Sequence, residues 1–342
     1  MSGSDREKLR QSACFSVAPM MAWTDTHCRY FHRLISKKSL LYTEMVTAPA
    51  LVLGGAIHLL DFNIEEYPVA LQLGGSDPVQ LAQAAALGAE RGYPEINFNL
   101  GCPSDRVQSG SFGAVLMKEP DLVRQCLDKM QSACDAEITV KCRIGVDDQI
   151  PEKILPSFLE MIEDSGIKRV AIHARKALLQ GLSPKENRDV PPLDYLLVRE
   201  MKKAFPGLHI SVNGGIKDLT EAKQHLSGGL DGVMIGRAAY HTPYAVLASV
   251  DSEIFDDEYP PSALEIGAAM THYLEKHLKD GGRLHQVTRH MFGLFAGQPG
   301  ARHWRRRLSD IGSLRDAGMA DYFALLEEIK SITRFQTELE TA

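Results

Sequence analysis

The sequence predicts an α/β fold, a (β/α)8 barrel of the TIM type with a C-terminal all-helical domain. Two observations predict the barrel: eight short β-rich runs alternate with segments that can form helices, and most of these runs are apolar almost throughout. Parallel strands covered on both faces have this composition. Eight βα units close naturally into a barrel, and a doubly wound open sheet is the competing architecture. A third observation, the lack of strand candidates after about residue 250, predicts the helical domain.

The predicted strands are separated by segments long enough to form a helix. They are CFSVAPMM (14–21), LLYTEMV (40–46), VALQLGG (69–75), INFNLGC (96–102), ITVKCRIG (138–145), RVAIHAR (169–175), HISVNGG (209–215) and GVMIGRA (232–238). Helical patterns such as DPVQLAQAAALGAERG and LTEAKQHLSGG lie between them. One connection, KALLQGLSPKENRDV at 176–190, is unusually long, and long irregular loops tend to be functional or disordered.

A change of composition near residue 250 predicts the domain boundary. The stretch DSEIFDDEYPPSALE is acidic and contains prolines, and within it Ser262 and Glu265 form the pattern of a capping box before an apolar-periodic helix. The rest, including DAGMADYFALLEEIKSITRF, is helical in pattern. We therefore expect a catalytic barrel over residues 1–252 and a helical domain over residues 253–342.

Composition indicates an ordinary globular protein. Of its 342 residues, 44% are apolar and 24% are charged. The first stretch, MSGSDREKLRQSA, lacks the apolar run of a signal peptide, and no segment approaches the ~18 apolar residues of a membrane span, so a cytoplasmic location is expected. The six cysteines show no CxxC spacing, which argues against structural zinc and a disulfide framework. A net charge of −6 gives no global sign of a nucleic-acid partner.

Polar or conformationally special residues collect at the ends of the predicted strands, where barrels carry their chemistry. These residues are Pro19, Met20, Met21, Gln72, Asn99, Cys102, Lys141, Arg143, His173, Arg175, Asn213, Gly214, Gly215, Gly236 and Arg237. The segments NGG and IGR end the last two strands, where barrels often bind phosphate with backbone N–H groups. Each segment alone is compatible with a plain turn; their joint placement favours a phosphate site.

Three of these side chains suit a planar heterocycle. Lys141 lies within an apolar strand, where it is either a solvated strand-end lysine or a cation facing a cofactor ring or phosphate. His173 alone could be a satisfied core histidine, but with Gln72 and Lys141 it can supply hydrogen bonds around a ring. A flavin mononucleotide (FMN) fits the whole set. No GxGxxG follows the first strand, so an NADPH donor would have to dock transiently over the flavin.

The segment INFNLGCPSDR, residues 96–106, has an ambiguous thiol. Most free cysteines are small core residues, and Cys102 alone would be interpreted in this way. Its position at the end of the fourth strand, among residues that can seat a flavin, favours a reactive group instead.

Several motifs together resemble the tRNA-dihydrouridine synthase family over nearly the whole chain. They are APMMAWTD, LQLGG, NFNLGCPSDRVQSGSFGAVLM, VKCRIG, HARKALLQGLSPKENR, VNGGI and MIGRAAY. The loop HARKALLQGLSPKENRDVPPLDY and the segment GLFAGQPGARHWRRRLS are similar to the A-type bacterial branch. The resemblance implies reduction of D-loop uridines 20 and 20a of tRNA to 5,6-dihydrouridine by a monomer that uses FMN and NADPH and needs no metal.

The resemblance also implies roles for individual residues. The family's catalytic cysteine falls on Cys102, which would protonate C5 of the uracil while a hydride passes from flavin N5 to C6. Apart from the resemblance, the carboxamide of Asn99 can hydrogen-bond the uracil edge. The family's flavin contacts fall on Pro19, Met20, Met21, Gln72, Lys141, His173, Asn213, Gly214, Gly215, Gly236 and Arg237.

The target base must leave the folded tRNA to react, so the enzyme must bind the rest of the tRNA. A local basic patch predicts this tRNA-binding surface. Residues 281–309 contain no acidic residue but six arginines, namely Arg283, Arg289, Arg302, Arg305, Arg306 and Arg307. Arg302, Arg305 and Arg306 share one face if HWRRRL is helical, while Trp304 and Phe295 either stack on bases or belong to a core. Such a run can also be a plain solvated face. Arg143 and three residues of the long loop, Lys185, Asn187 and Arg188, are further candidates.

Two other functions compete with this interpretation. An FMN barrel that acts on a free dihydropyrimidine-type molecule would share the flavin site and the cysteine but would not need a basic helical domain. A non-catalytic RNA-binding protein on a degenerate barrel would not need Cys102, Lys141 and His173 together.

Overall fold

The computed structural model describes residues 3–104, 112–257 and 261–340, with side chains described from residue 6 to residue 335 within those ranges. Residues 105–111, part of the long motif after the fourth strand, lie outside the described residues. The same holds for residues 258–260 of the acidic stretch.

Eight parallel strands form a closed barrel in sequence order, as predicted. The first strand pairs with the eighth as well as with the second, which excludes an open doubly wound sheet. The strands are β1 (Phe15–Val17), β2 (Leu40–Thr47), β3 (Val69–Gly74), β4 (Glu95–Leu100), β5 (Glu137–Arg143), β6 (Arg169–His173), β7 (His209–Asn213) and β8 (Gly232–Ile235).

Helices fill most connections between these strands and most of the C-terminal region that the structure describes. The α-helices of the described residues are α1 (Gly3–Ser12), α2 (Thr26–Ile35), α3 (Ala48–Val52), α4 (Pro78–Glu90), α5 (Pro120–Ala133), α6 (Pro151–Asp164), α7 (Tyr195–Ala204), α8 (Leu219–Ser227), α9 (Arg237–His241), α10 (Pro243–Leu247), α11 (Val250–Ile254), α12 (Ala263–Lys279), α13 (Leu284–Thr288), α14 (Ala301–Ser313) and α15 (Met319–Glu340). Short 3-10 turns occupy Ile57–Leu60, Ile64–Glu66, Gly113–Lys118 and Glu186–Arg188.

Local sequence explains where the helices begin. Asp77 caps α4 by accepting hydrogen bonds from the backbone N–H groups of Val79 and Gln80, at 2.8 and 3.0 Å. The predicted capping box of α12 is present: Ser262 Oγ accepts from Glu265 N–H, and the Glu265 carboxylate accepts from Ser262 N–H. These contacts satisfy N–H groups that have no partner within the helix.

The N-terminal segment forms a helix that its polar composition does not predict. Leu9 of α1 is 2% exposed and packs in a cluster with barrel residues that include Ala70, Ala171 and Met234. One buried apolar position therefore anchors α1, although most of its other side chains are polar.

The chain divides into two compact units. One contains Met1–Ala22, Ser39–Ile216 and Thr220–Gly236, and so holds every barrel strand; the other contains Trp23–Lys38, Lys217–Leu219 and Arg237–Ala342. This division shows which parts of the chain are compact but does not show which parts fold independently. The predicted domain boundary after residue 252 therefore stays a prediction. Among the described residues, no helix combines the length and apolar character needed to cross a membrane.

Candidate active site

Strand register places five of the predicted site residues at one rim of the barrel, as neighbours on adjacent strands. Asn99 of β4 pairs with Lys141 of β5. Arg143 pairs with His173 of β6, which in turn pairs with Asn213 of β7. Because all strands are parallel, their C-terminal ends share this rim.

Cys102 lies two residues beyond β4, in a turn with a fixed backbone. Asn99 Oδ1 accepts hydrogen bonds from the N–H groups of Gly101 and Cys102, both at 3.0 Å. The Cys102 carbonyl accepts from Ala114 N–H at 2.9 Å. The thiol is partly buried, and its Sγ lies 3.4 Å from Ser104 Oγ. The turn therefore fixes the backbone of Cys102 and leaves the thiol accessible.

The other cysteines are less suited to proton transfer. Burial raises the pKa of the Cys126 and Cys142 thiols to about 12, and it also raises the pKa of Cys14 and Cys134. Cys28 is fully buried in α2. Such thiols hold their protons too tightly or lie too deep to act at a rim.

Lys141 is a partly buried cation at the same rim. Burial lowers the pKa of its ammonium to about 8, and the positive charge of Arg143 acts in the same direction. The negative charge of a Cys102 thiolate would act in the opposite direction. Lys141 is therefore mostly protonated at neutral pH and loses its charge just above it.

His173 is a neutral imidazole with an unused nitrogen. Burial, followed by the charges of Arg143 and Lys141, holds its pKa well below the usual value. Its Nε2 is buried and has no hydrogen-bond partner among the residues that the structure describes. Since a buried polar atom without a partner is costly, this nitrogen is available to hydrogen-bond a ligand.

Glycine is required beside His173. Gly214 has φ +109°, and a Cβ there would lie 2.5 Å from His173 Cδ2. Gly215 has φ +75°, and its Cβ would meet Leu193 and Tyr195. Gly214 is buried and Gly215 is partly buried, so both positions require glycine because side chains of the protein pack closely against the backbone at the end of β7.

Two residues predicted to contact tRNA have buried side chains. Arg143 is 2% exposed; its Nε donates to the Gly101 carbonyl at 2.9 Å, and its Nη1 donates to the carbonyls of Lys176 and Asn187 at 2.9 and 3.0 Å. Asn187 is fully buried and bonds the backbone of Leu178 in both directions at 2.8 Å. These contacts connect the Cys102 turn to the long loop, so both side chains use their hydrogen-bonding groups within the protein.

The remaining cofactor and loop candidates occupy more open positions. Met21 is 59% exposed after β1, whereas Pro19 and Met20 are partly buried. Gly236 follows β8, and Arg237 begins α9 in the other compact unit. In the long loop, Lys185 and Arg188 are exposed.

The basic segment of the helical unit is helical, as α14. Arg302, Arg305 and Arg306 are exposed, while Arg307 pairs with Glu328 at 3.0 Å. Arg289 also has an acidic partner, Asp25 at 2.6 Å.

Trp304 and Phe295 belong to the core of the helical unit. Both are at most 2% exposed, their ring centroids are 4.9 Å apart, and Trp304 Nε1 donates to the Met291 carbonyl at 2.8 Å. Of the two interpretations open from the sequence, stacking on bases is therefore wrong.

Sequence reasoning missed residues that support the site from behind. Asn97 lies two residues before Asn99 in β4 and is 1% exposed. Its side-chain oxygen accepts a hydrogen bond from Gln72 Nε2 at 2.8 Å. Tyr195 donates its hydroxyl to the Gly214 carbonyl. The alternation of Asn97 and Asn99 in INFNL was a visible signal, because residues two apart in a strand share a face. Among the described residues, no group of three His, Cys, Asp or Glu side chains is placed to hold a metal ion.

Comparison with known proteins gives the family of this chain. The model of the dihydrouridine synthase (Dus) family matches residues 16–332, which include the whole rim described above. The chain belongs to the dihydrouridine synthase family. Members of this family are flavin-dependent oxidoreductases.

Three similar curated proteins carry the same name. The chain is 54% identical over 304 residues to the tRNA-dihydrouridine(20/20a) synthase of Vibrio vulnificus, with 88% of this chain and 92% of that protein covered. It is 54% identical over 306 residues to the protein of that name from Shewanella oneidensis (89% and 90% covered). The Escherichia coli protein of that name is 53% identical over 310 residues (90% and 88% covered). The family resemblance inferred from the motifs is confirmed.

Proposed function

We propose that this protein reduces the C5=C6 bond of uridines 20 and 20a in the tRNA D-loop to 5,6-dihydrouridine. FMN is the bound cofactor and NADPH is the reductant in this proposal. The observation that carries it is the partly accessible thiol of Cys102, whose backbone Asn99 fixes at the rim of a barrel of the dihydrouridine synthase family. Relatives that are 52–54% identical bear the name of this activity.

The rim offers groups that fit a flavin mononucleotide. His173 Nε2 is a buried polar atom with no partner in the described part of the chain. Lys141 supplies a cation, and Gly214 and Gly215, which carry no side chain, follow β7 beside His173. Together with Gln72, these residues would hold the cofactor. Bound FMN would supply the hydride that reduces C6 of the uracil, with NADPH restoring the reduced flavin.

Cys102 supplies the proton in the proposed reaction. Hydride addition at C6 spreads negative charge toward the C4 carbonyl, so C5 must take up a proton. The Cys102 thiol gives up that proton, which becomes the second hydrogen of the reduced bond. Lys141 keeps a positive charge at the rim while negative charge develops.

Asn99 has two tasks in this proposal. Its Oδ1 accepts from two backbone N–H groups of the Cys102 turn, and one N–H of its Nδ2 goes to Gln72 Oε1 at 2.8 Å. The second N–H of Nδ2 can bind a carbonyl of the uracil. A single side chain thereby orients the base and the acid relative to each other.

Exposed basic side chains bind the tRNA in this proposal. Arg302 and Arg305 of α14, and Lys185 and Arg188 of the long loop, are exposed, and phosphate contacts provide much of the affinity for nucleic acids. Arg143 and Asn187 instead support the loop that carries Lys185 and Arg188. In this proposal the protein acts on tRNA as a monomer in the cytoplasm.

FMN affinity is expected to fall between pH 7 and pH 9. Because the pKa of Lys141 is lowered to about 8, its charge is present below that pH and lost above it. The second ionisation of the phosphate, near pH 6, is already complete in this range. The dissociation constant should rise by up to about tenfold per pH unit above pH 8. Flavin fluorescence titrations at several pH values measure it.

Lys141→Arg is the control for this pH dependence. A guanidinium stays charged across the range, so the rise should disappear in that variant. An equal loss of affinity in wild type and Lys141→Arg would contradict a role for Lys141 in holding the cofactor.

The target positions are tested by mapping dihydrouridine in tRNA from cells that lack this protein. We expect loss of dihydrouridine at positions 20 and 20a, with return of both when the gene is restored. Loss at another position, with 20 and 20a intact, would refute the proposed specificity.

A further inference from the structure

A continuous line of buried polar side chains runs from the Cys102 turn into the barrel. It begins at Asn99, whose Nδ2 donates to Gln72 Oε1 at 2.8 Å. Gln72 Nε2 donates to Asn97 Oδ1, also at 2.8 Å. All three residues are at most 7% exposed. The three carboxamides thus form one chain across β3 and β4.

The line continues to a charged end. Asn97 Nδ2 donates to Thr139 Oγ1 at 2.8 Å, and the Thr139 hydroxyl donates to Glu95 Oε1 at 2.5 Å. Glu95 is fully buried and forms an ion pair with Arg169. It also accepts from the Tyr42 hydroxyl at 2.8 Å. Glu95 therefore stands at the end of the chain opposite to Cys102.

Every link points in one direction, and both ends require that direction. A carboxylate paired with arginine only accepts, so Thr139 must donate to Glu95 and offer its oxygen to Asn97. That choice sets the orientation of each following carboxamide, ending with the Asn99 oxygen toward the Cys102 turn. Backbone N–H groups only donate, so the turn needs that oxygen. Reversal of any carboxamide would set donor against donor in a buried site.

We propose that Glu95, Thr139 and Asn97 are positioning residues that hold Cys102 through Asn99. The proposal rests on the proposed function, because it concerns the group that protonates the uracil. It also explains why Asn99 has its orientation, because the Glu95–Arg169 ion pair selects one direction for every hydrogen bond of the hydrogen-bond chain.

Thr139→Val tests the hydrogen-bond chain from Asn99 to Glu95 with a nearly isosteric change. It removes the hydroxyl that joins Asn97 to Glu95. We expect unchanged flavin content, unchanged reduction of the flavin by NADPH and an unchanged KM for tRNA. The kcat should fall roughly tenfold to hundredfold, since a small misplacement of a catalytic group has effects of this size. Thr139→Ser, which keeps the hydroxyl, should restore most of the rate.

A second readout needs no substrate. Alkylation of Cys102 by iodoacetamide, followed by mass spectrometry of its peptide, should speed up by about threefold in Thr139→Val because the turn is less restrained. Ser16→Ala is the matched control, since it removes a buried strand hydroxyl that donates to the Val233 carbonyl and not to the Asn97–Glu95 link. It should leave Cys102 alkylation and kcat unchanged. If the wild-type protein did not reduce tRNA, the proposed function would be wrong. The rate of Cys102 alkylation would still test whether the hydrogen-bond chain positions Cys102.

A double variant separates positioning from general damage. In a Cys102→Ala background, Thr139→Val should cause little further loss of turnover, because its effect passes through the missing thiol. Equal losses in both backgrounds, or wild-type kcat and alkylation in Thr139→Val, would overturn the proposal. Should Thr139→Val not fold, Tyr42→Phe removes a milder contact at Glu95. A shift of alkylation and kcat by about twofold is then expected, and no shift would overturn the proposal.

Discussion

Cys102→Ala is expected to keep its flavin and the reduction of that flavin by NADPH, but to lose most reduction of tRNA at neutral pH. Without a thiol, the proton for C5 must come from water, which is neither positioned nor acidic enough. General acid catalysis contributes typically about 10²–10⁴-fold, so a loss of that order is expected in single-turnover experiments with saturating tRNA. Flavin content and the rate of flavin reduction, measured on the same preparation, locate the defect in the second half-reaction.

Cys134→Ala is the matched control for this variant. Cys134 is also partly exposed, but it follows α5, and its Sγ lies 3.7 Å from the Met130 carbonyl rather than in the Cys102 turn. The control should turn over tRNA at the wild-type rate. Near-normal turnover by Cys102→Ala would remove the cysteine from the mechanism and would return the thiol to the class of packing residues.

Charge reversal at Arg302 and Arg305 should weaken tRNA binding by roughly tenfold or more at physiological salt. Both side chains are exposed on α14, whereas Arg307 on that helix is paired with Glu328. The slope of log affinity against log salt should become shallower by about 2 when two phosphate contacts are lost. Flavin content and flavin reduction should not change. Binding titrations over a salt series provide the measurement.

Lys129→Glu/Lys203→Glu carries the same change of net charge and is the control. Both lysines are exposed on barrel helices, α5 and α7. If this variant weakened tRNA binding as much as the reversal on α14, net charge would explain the effect. An unchanged affinity and salt slope after reversal at Arg302 and Arg305 would exclude α14 from the tRNA interface.

Much of the fold and the rim could be predicted because the information is local. Apolar runs of strand length identify β2 to β8 within a few residues, and the last residues of each run identify the rim. Cys102 and Lys141 stood out because a thiol and an ammonium are unusual within or just after apolar strands. Helix α1 escaped prediction because one buried leucine is too weak a periodic signal.

Other features depend on register and loop path, which a single sequence does not contain. The chain from Asn99 to Glu95 requires Gln72, Asn97 and Thr139 to be neighbours across three strands, and only the strand pairing establishes this. Likewise, the charge of Arg143 was visible, but its enclosure by the carbonyls of the long loop follows from how that loop folds back.

The most direct test of the proposed function uses the purified holoenzyme, NADPH and an unmodified tRNA transcript. We expect dihydrouridine at positions 20 and 20a, with one NADPH oxidised for each uridine reduced, and no product at either position when it is replaced by cytidine. Reduction of free uridine as fast as tRNA, or NADPH oxidation without dihydrouridine in the transcript, would contradict the proposed function.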